Sequence, residues 1–141
     1  MSMSPSAQAF VDKLTSKGIQ CEHQDTVDGG DLISVWFAGS EPNVNYEILI
    51  VLDKQETSVI IRCYGIYKVP KNKRTLVLKT LNQLNMNYRW VKFYLDEDSE
   101  VAAGADAIIN PHTASDVTYE MVIRTLNIID DSYEKIKQTV D

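Results

Sequence analysis

Seven apolar residues near the C-terminus, Tyr119, Val122, Leu126, Ile129, Tyr133, Ile136 and Val140, recur at alternating steps of three and four. That spacing lays them along one stripe of a long helix. Met121, Ile123 and Ile128 broaden the stripe beyond the narrow seam of a two-stranded coil, so the helix is expected to pack on a sheet of its own chain. Thr113, with Asp116 three residues on, resembles a capping box with Asp in place of Glu and marks the helix start.

The sheet is supplied by runs with a period of two. Arg89 to Leu95 alternates Val91, Phe93 and Leu95 against Trp90, Lys92 and Tyr94, which sends one set to the core and the other outward. Asp96-Glu97-Asp98-Ser99 is a polar connection of hairpin length, and Glu100 to Ile109 is the return strand, closed by Asn110-Pro111. Further toward the N-terminus, Leu32 to Ala38, Tyr46 to Asp53 and Thr57 to Tyr64 read as three more strands separated by turn residues. Two helices complete the order. Ser4-Pro5 is an N-cap followed by proline at the first helical position, ahead of a stripe of Ala7, Phe10, Val11 and Leu14 that ends at Gly18. Val69-Pro70 then stops a strand, and Leu76, Val77, Leu78, Leu81 and Leu84 predict a helix from about Lys71 to Met86. The whole reads α-β-β-β-α-β-β-α, an α+β fold in which helices cover one face of an antiparallel sheet.

A chain of 141 residues is long enough for one core without staples, so residues 1–141 are expected to form a single domain with 1–4 flexible. Hydrophobic residues at 44% and charged ones at 24% suit a soluble globular protein, and no apolar run approaches the roughly 20 residues of a membrane span. The opening MSMSPSAQAF has no basic and apolar leader pattern, so the expected location is cytoplasmic, where Cys21 and Cys63 would be free thiols. The net charge of -6 conceals an asymmetry: Thr57 to Leu95 holds eight bases and no acid, while both flanks are acidic. Such blocks either steer partners or neutralise one another in the fold.

The "LNQLN" end of the second helix, the "VKFYLDEDSEV" hairpin and the "SDVTYEMVIRTLNIIDDSYEKI" helix with its Tyr133 resemble the YbjN family of bacterial sensory-transduction regulators, over most of the chain after about residue 30. The resemblance implies a fold like that of type III secretion chaperones, small acidic α+β proteins that commonly dimerise and hold partner segments. Its motif is structural: Leu81 and Leu84 pack, and Asn85 satisfies backbone where the helix ends.

Chemistry-bearing residues are few. Cys21 and His23 would share a face on a strand and, with Cys63, would offer three zinc donors, but the spacing is unlike paired knuckles and no metal is expected. His112 sits in a loop beside Pro111 with no Cys or Ser partner suggested by sequence order, so no catalytic residue is assigned. Asp96, Glu97, Asp98 and Glu100 form a solvated turn, because a calcium loop would need glycine where Val101 stands. Gly29-Gly30 lacks the spacing of a phosphate cradle. No cofactor is expected.

What remains is the outward face of the sheet. If Val59, Ile61 and Cys63 face the helices, then Arg62 and Tyr64 share the other face with Trp90, Lys92 and Tyr94, and Trp36 joins them. Trp36, Arg62, Trp90, Lys92 and Tyr94 are therefore the candidate partner-binding residues. Basic residues among aromatics are ordinary on a sheet exposed on one side; they also serve protein interfaces, and they serve single-stranded nucleic acid, which the acidic composition disfavours. The expectation is a non-enzymatic cytoplasmic protein-interaction or regulatory module that associates with a protein partner or with itself as a homodimer. Its alternatives are single-stranded nucleic-acid binding on the open face and the holding of a partner-protein segment.

Overall fold

A computed structural model of the chain describes residues 3–141, so the expected looseness of residues 1 and 2 lies outside the described part. The elements run α1 (Pro5–Ser16), β1 (Glu22–Asp25), β2 (Asp31–Ala38), β3 (Asn45–Leu52), β4 (Ser58–Lys68), a single 3-10 turn (Lys71–Lys73), α2 (Arg74–Asn87), β5 (Lys92–Leu95), β6 (Glu100–Ile108) and α3 (Ala114–Val140). All six strands join one antiparallel sheet in the order β1-β2-β3-β4-β6-β5. This is the expected α+β fold with one strand added. β1, Glu-His-Gln-Asp, carries no apolar residue and so leaves no periodic signal; its pairing with β2, from Glu22↔Ser34 to Asp25↔Asp31, makes it a strand.

Local chemistry accounts for the element ends. The Ser4 hydroxyl accepts from the Ala7 N–H at 3.1 Å, and Pro5 opens α1 where no amide is needed. Two carboxylates stand at the same helix end: Glu56 accepts from the Ser6 N–H at 2.8 Å and Asp31 from the Ser4 N–H at 3.3 Å. Negative charge there complements the helix dipole and ties α1 to the β3–β4 turn and to β2. At the other end Gly18 takes φ +73°, which lets the Ile19 N–H reach the Leu14 carbonyl at 2.9 Å and the Gly18 N–H reach Thr15 at 3.0 Å. Asp53 builds the β3–β4 turn by accepting from the amides of Thr57 (2.9 Å) and Ser58 (2.7 Å) and the Thr57 hydroxyl (2.7 Å). The carboxyl is pulled below its usual range although burial pushes the other way, because these donors favour the charged form.

Alternation decides the two faces. On β3, Tyr46, Ile48, Ile50 and Leu52 are buried under the helices, and on β4 so are Val59, Ile61 and Cys63. From above, Phe10 and Leu14 of α1, Val77, Leu81 and Leu84 of α2, and Met121, Val122, Ile129 and Ile136 of α3 meet this face in one contiguous core. Full burial of a side chain such as Ile129 or Ile136 contributes about 1.5–3 kcal/mol of transfer energy. Leu76 and Leu78, read as part of the α2 stripe, point outward instead. The helix turns on the pair Leu81 and Leu84 with Val77, and Leu76 and Leu78 fall to either side of that stripe.

Two expectations about α3 are corrected and refined. Thr113 makes no capping hydrogen bond to α3; its hydroxyl instead accepts from the Asn110 N–H at 3.1 Å within the loop before the helix. Asp116 is turned away from the helix start and pairs with Lys13 of α1 at 2.6 Å. Tyr133, at the family-like end of α3, stacks edge-on between Tyr46 (6.2 Å) and Tyr67 (5.6 Å). Asp130, one turn earlier, accepts from the Tyr46 hydroxyl at 3.0 Å, from the Ser40 N–H at 3.0 Å and from the Ser40 hydroxyl. These contacts clamp the second half of α3 to the β2–β3 hairpin.

Candidate functional site

The helices occupy one face of the sheet, and the other carries the candidate residues. Its residues alternate with the core set: Leu32, Ser34 and Trp36 on β2, Glu47, Leu49 and Val51 on β3, Ile60, Arg62 and Tyr64 on β4, Gly104 and Asp106 on β6, Lys92 and Tyr94 on β5. Trp36 is 63% exposed, Trp90 53%, Tyr64 52% and Tyr94 40%, which is a concentration of aromatic surface on one side of the molecule.

Arg62, Trp90, Lys92 and Tyr94 come together around a trough of about 350 Å³ floored by Gly104 and Ala105 and bounded by Asp106. The trough exists because β6 places Gly104, which has no side chain, on the open face between its register partners Arg62 and Lys92. Arg62 lies across Gly104: a Cβ there would meet its Nη1 at 2.7 Å. The guanidinium pairs with Asp106 at 2.8 Å, and that hydrogen bond raises its pKa further. Lys92 Nζ donates to the carbonyls of Asn85 and Tyr88, both at 3.0 Å, and so caps the end of α2. Both cations of the trough are therefore engaged within the chain. Burial raises the Tyr94 phenol.

Two placements differ from expectation. Trp90 is not in the strand, which begins at Lys92; it takes φ +74° in a tight reversal closed by the Val91 N–H to the Arg89 carbonyl at 2.8 Å. The cause is the abrupt end of α2, from which the chain must turn back onto β6. Trp90 consequently stands at the rim, lining the trough on one side and, on the other, a groove with Val117, Met121 and Arg124. Arg124 lies 6.0 Å from its ring centre. Trp36 shares the open face but not the cluster, because β3, β4 and β6 separate β2 from β5 by four strand steps, about 19 Å.

Sequence reasoning missed Gly104 and Asp106. The glycine inside the β6 pattern was the available signal, since a strand position without a side chain leaves a hollow between its neighbours. It also missed the role of Asn85. The Asn85 side chain accepts from the Phe93 N–H at 2.7 Å and donates to the Phe93 carbonyl at 3.0 Å, acting as a surrogate strand along the outer edge of β5.

The three zinc donors considered from sequence are not assembled. Cys63 is buried under the helices on β4, while Cys21 precedes β1 at the sheet edge. His23 instead meets Asp31 at 2.7 Å and Asp25 at 3.9 Å. His23, Asp25 and Asp31 are one group of side chains close enough to share a cation; Asp96, Asp98 and Glu100 in the β5–β6 turn are another. In that turn Asp96 accepts from the amides of Asp98 (2.9 Å) and Glu100 (3.0 Å), a sufficient structural reason for its carboxylate. Among the described residues, the ion pair joining the basic middle of the chain to its acidic flanks is Arg62 to Asp106, so the bases of α2 stay on the surface. No helix is long and apolar enough to cross a membrane.

Fold and face together define an α+β module with helices on one side of a sheet and an aromatic, mixed-charge surface on the other. The chain belongs to the YbjN family, described as "putative bacterial sensory transduction regulator", whose model matches residues 13–140. It is similar in fold to the crystal structure of YbjN from E. coli, described as "a putative transcription regulator", with a TM-score of 0.56 and 11% identity over 95% of this chain and 96% of that one. No curated protein matches it.

Proposed function

We propose that this chain is a non-enzymatic cytoplasmic regulator that works by protein contact through the open face of its sheet. The observation that carries this reading is the placement of Trp36, Tyr64, Tyr94 and the rim residue Trp90, all at least 40% exposed, on the face the helices leave uncovered. Aromatic side chains and arginine are the residues that dominate interface energetics, and a folded chain spends solubility by displaying them together. Family membership supports a regulatory role, and the two free cysteines suit a reducing compartment. Binding of single-stranded nucleic acid is supported less well. Arg62 is neutralised by Asp106 and Lys92 is committed to α2 carbonyls, which leaves few free cations for phosphates beside the aromatics.

Site-specific photo-crosslinking in the native cells tests this. A photoreactive amino acid replacing Tyr94 or Tyr64 on the open face should capture protein, and the same group replacing Glu134 on α3 should not. Capture from the α3 position alone, or capture of RNA at Tyr94 that is lost in high salt, overturns the reading. Capture of a client protein in an extended state at Tyr94 would identify the holding of partner segments as the form the contact takes.

A further inference from the structure

We propose that the free outer edge of β2 takes up an extended segment of another polypeptide as an added strand, one that alternates apolar residues with lysine or arginine. The inference goes beyond the reading of the open face, because it turns on backbone groups at the border of the sheet.

β1 is four residues long and β2 eight, so β1 covers only Asp31 to Ser34 and leaves Val35 to Ala38 without an outer neighbour. The cause lies in the chain path. It leaves α1 at Gly18, in the helix layer, and joins the sheet only at Glu22.

The two hairpins fix where the uncovered groups point. The Gly39 N–H bonds the Val44 carbonyl at 2.7 Å, so Phe37, Val35 and Ile33 exchange ladder bonds with β3. The Thr26 N–H bonds the Gly30 carbonyl at 3.0 Å, so Leu32 and Ser34 do the same with β1. Trp36 and Ala38 continue the second set and aim N–H and C=O outward, where no hydrogen bond from the described residues reaches them. Strand edges are normally blunted by charge, proline or a bulge. Val35 to Ala38 has neither charge nor proline, and its register with β3 is unbroken. At the opposite border of the sheet the Asn85 side chain covers β5.

Beside the free edge lies a hollow of about 680 Å³, with Gly18, Ile19 and Cys21 on one side and Trp36, Phe37 and Ala38 on the other. An incoming strand would lie in line with β1 and cover Val35 to Ala38 over roughly 13 Å. Antiparallel pairing, the more stable per residue, sets its side chains directly opposite those of β2. The residue opposite Phe37 would face half-buried Phe37, Ile19 and Cys21, which calls for an apolar side chain. The residue opposite Trp36 would share the open face with that exposed ring.

Charge selects what stands there. Glu47 lies opposite Trp36 on β3 and Glu22 opposite Ser34 on β1, and the two acids line a hollow of about 320 Å³ around Ser34 and Leu49. Neither carboxylate has an ion-pair partner among the described residues. A lysine or arginine over the Trp36 ring would stand in the negative field of both and roughly 7 Å along the strand line from Glu22.

Amide hydrogen exchange and peptide titration, both followed by NMR on the full chain, are the test. In the protein alone the Trp36 and Ala38 amides should exchange fast, and those of Val35 and Phe37 slowly. The probe is the peptide acetyl-Thr-Val-Lys-Val-Lys-Val-Thr-amide, which at millimolar concentration should slow exchange at Trp36 and Ala38 by roughly tenfold or more. N-methylation of its lysine amides, which face β2, should abolish binding, whereas N-methylation of its valine amides should not. Glutamate in place of both lysines should weaken binding by roughly tenfold. Ala38→Pro removes an outward N–H and no bond to β3, and Trp36→Ala removes the exposed ring; each should weaken binding by roughly tenfold with Tm unchanged. If Ala38→Pro disturbs the strand, Trp36→Ala and the methylated peptides decide the matter. Slow exchange at Trp36 and Ala38 in the free protein overturns the inference, as does a peptide that protects neither or that binds regardless of lysine-amide methylation or charge reversal. Protection of both amides that grows with protein concentration alone assigns the edge to a second copy and overturns the partner named here. Peptide binding at this edge without capture of protein at Tyr94 upholds this inference and refutes the reading of the open face.

Discussion

Replacing Asn85 by Ala removes a side chain whose two hydrogen bonds, at 2.7 and 3.0 Å, are both to the backbone of Phe93. Each neutral bond is worth about 1 kcal/mol net, so the strand-edge contact contributes about 2 kcal/mol. Alanine returns part of this through its higher helix propensity, roughly 0.5 kcal/mol in a helix interior. Asn82→Ala supplies the internal control, since it lies one helical turn earlier in the same "LNQLN" segment and its amide reaches only Met86 Sδ, at 3.7 Å, on the surface. The difference between the two variants cancels the propensity gain and isolates the contact. For a chain of this length the unfolding entropy is about 0.3 kcal/mol per degree, so that difference corresponds to about 6–7 °C in Tm. Urea titration of both variants measures it, and hydrogen exchange at the Phe93 amide shows where it acts. Equal stabilities for the two variants, with Phe93 exchange unchanged, would refute the assignment of Asn85 as a surrogate strand.

Asp130 is held below the usual carboxyl range: burial raises it, but the donors from Ser40 and Tyr46 outweigh that. A depressed folded pKa gives stability that is complete above the unfolded value near 3.9 and is lost as pH falls through the folded one. Asp130→Asn should therefore be less stable than wild type by about 1–2 kcal/mol near neutrality, with the gap closing below about pH 4; a gap independent of pH in acid titrations would count against the clamp. Burial, aided by the Glu47 carboxylate, pushes the Cys63 thiol up to about 12, and burial also raises the partly exposed Cys21. Ellman's reagent at pH 8 should modify Cys21 slowly and Cys63 only on unfolding, and two equally fast thiols in the native protein would contradict the placement of Cys63 under the helices.

The elements legible in the sequence are those whose cause is local. α3 announced itself through steps of three and four, β5 and β6 through period-two alternation around an acidic turn, and α1 through Ser4-Pro5 and Gly18, because each signal is carried by residues within one or two turns of one another. The outward set Arg62, Lys92 and Tyr94 followed from the same alternation once one buried residue per strand was placed. Residues decided by distant partners were not legible. β1 is a strand only because β2 pairs with it, Asp116 left its cap for Lys13, 103 positions away, and Asn85 chose the backbone of Phe93 over its own helix end. The separation of Trp36 from Trp90 likewise depended on strand order, which places β6 between β4 and β5. Alternation along a strand says which face a side chain takes, but its neighbours on that face come from other strands, chosen by the packing energy of the whole sheet against its helices.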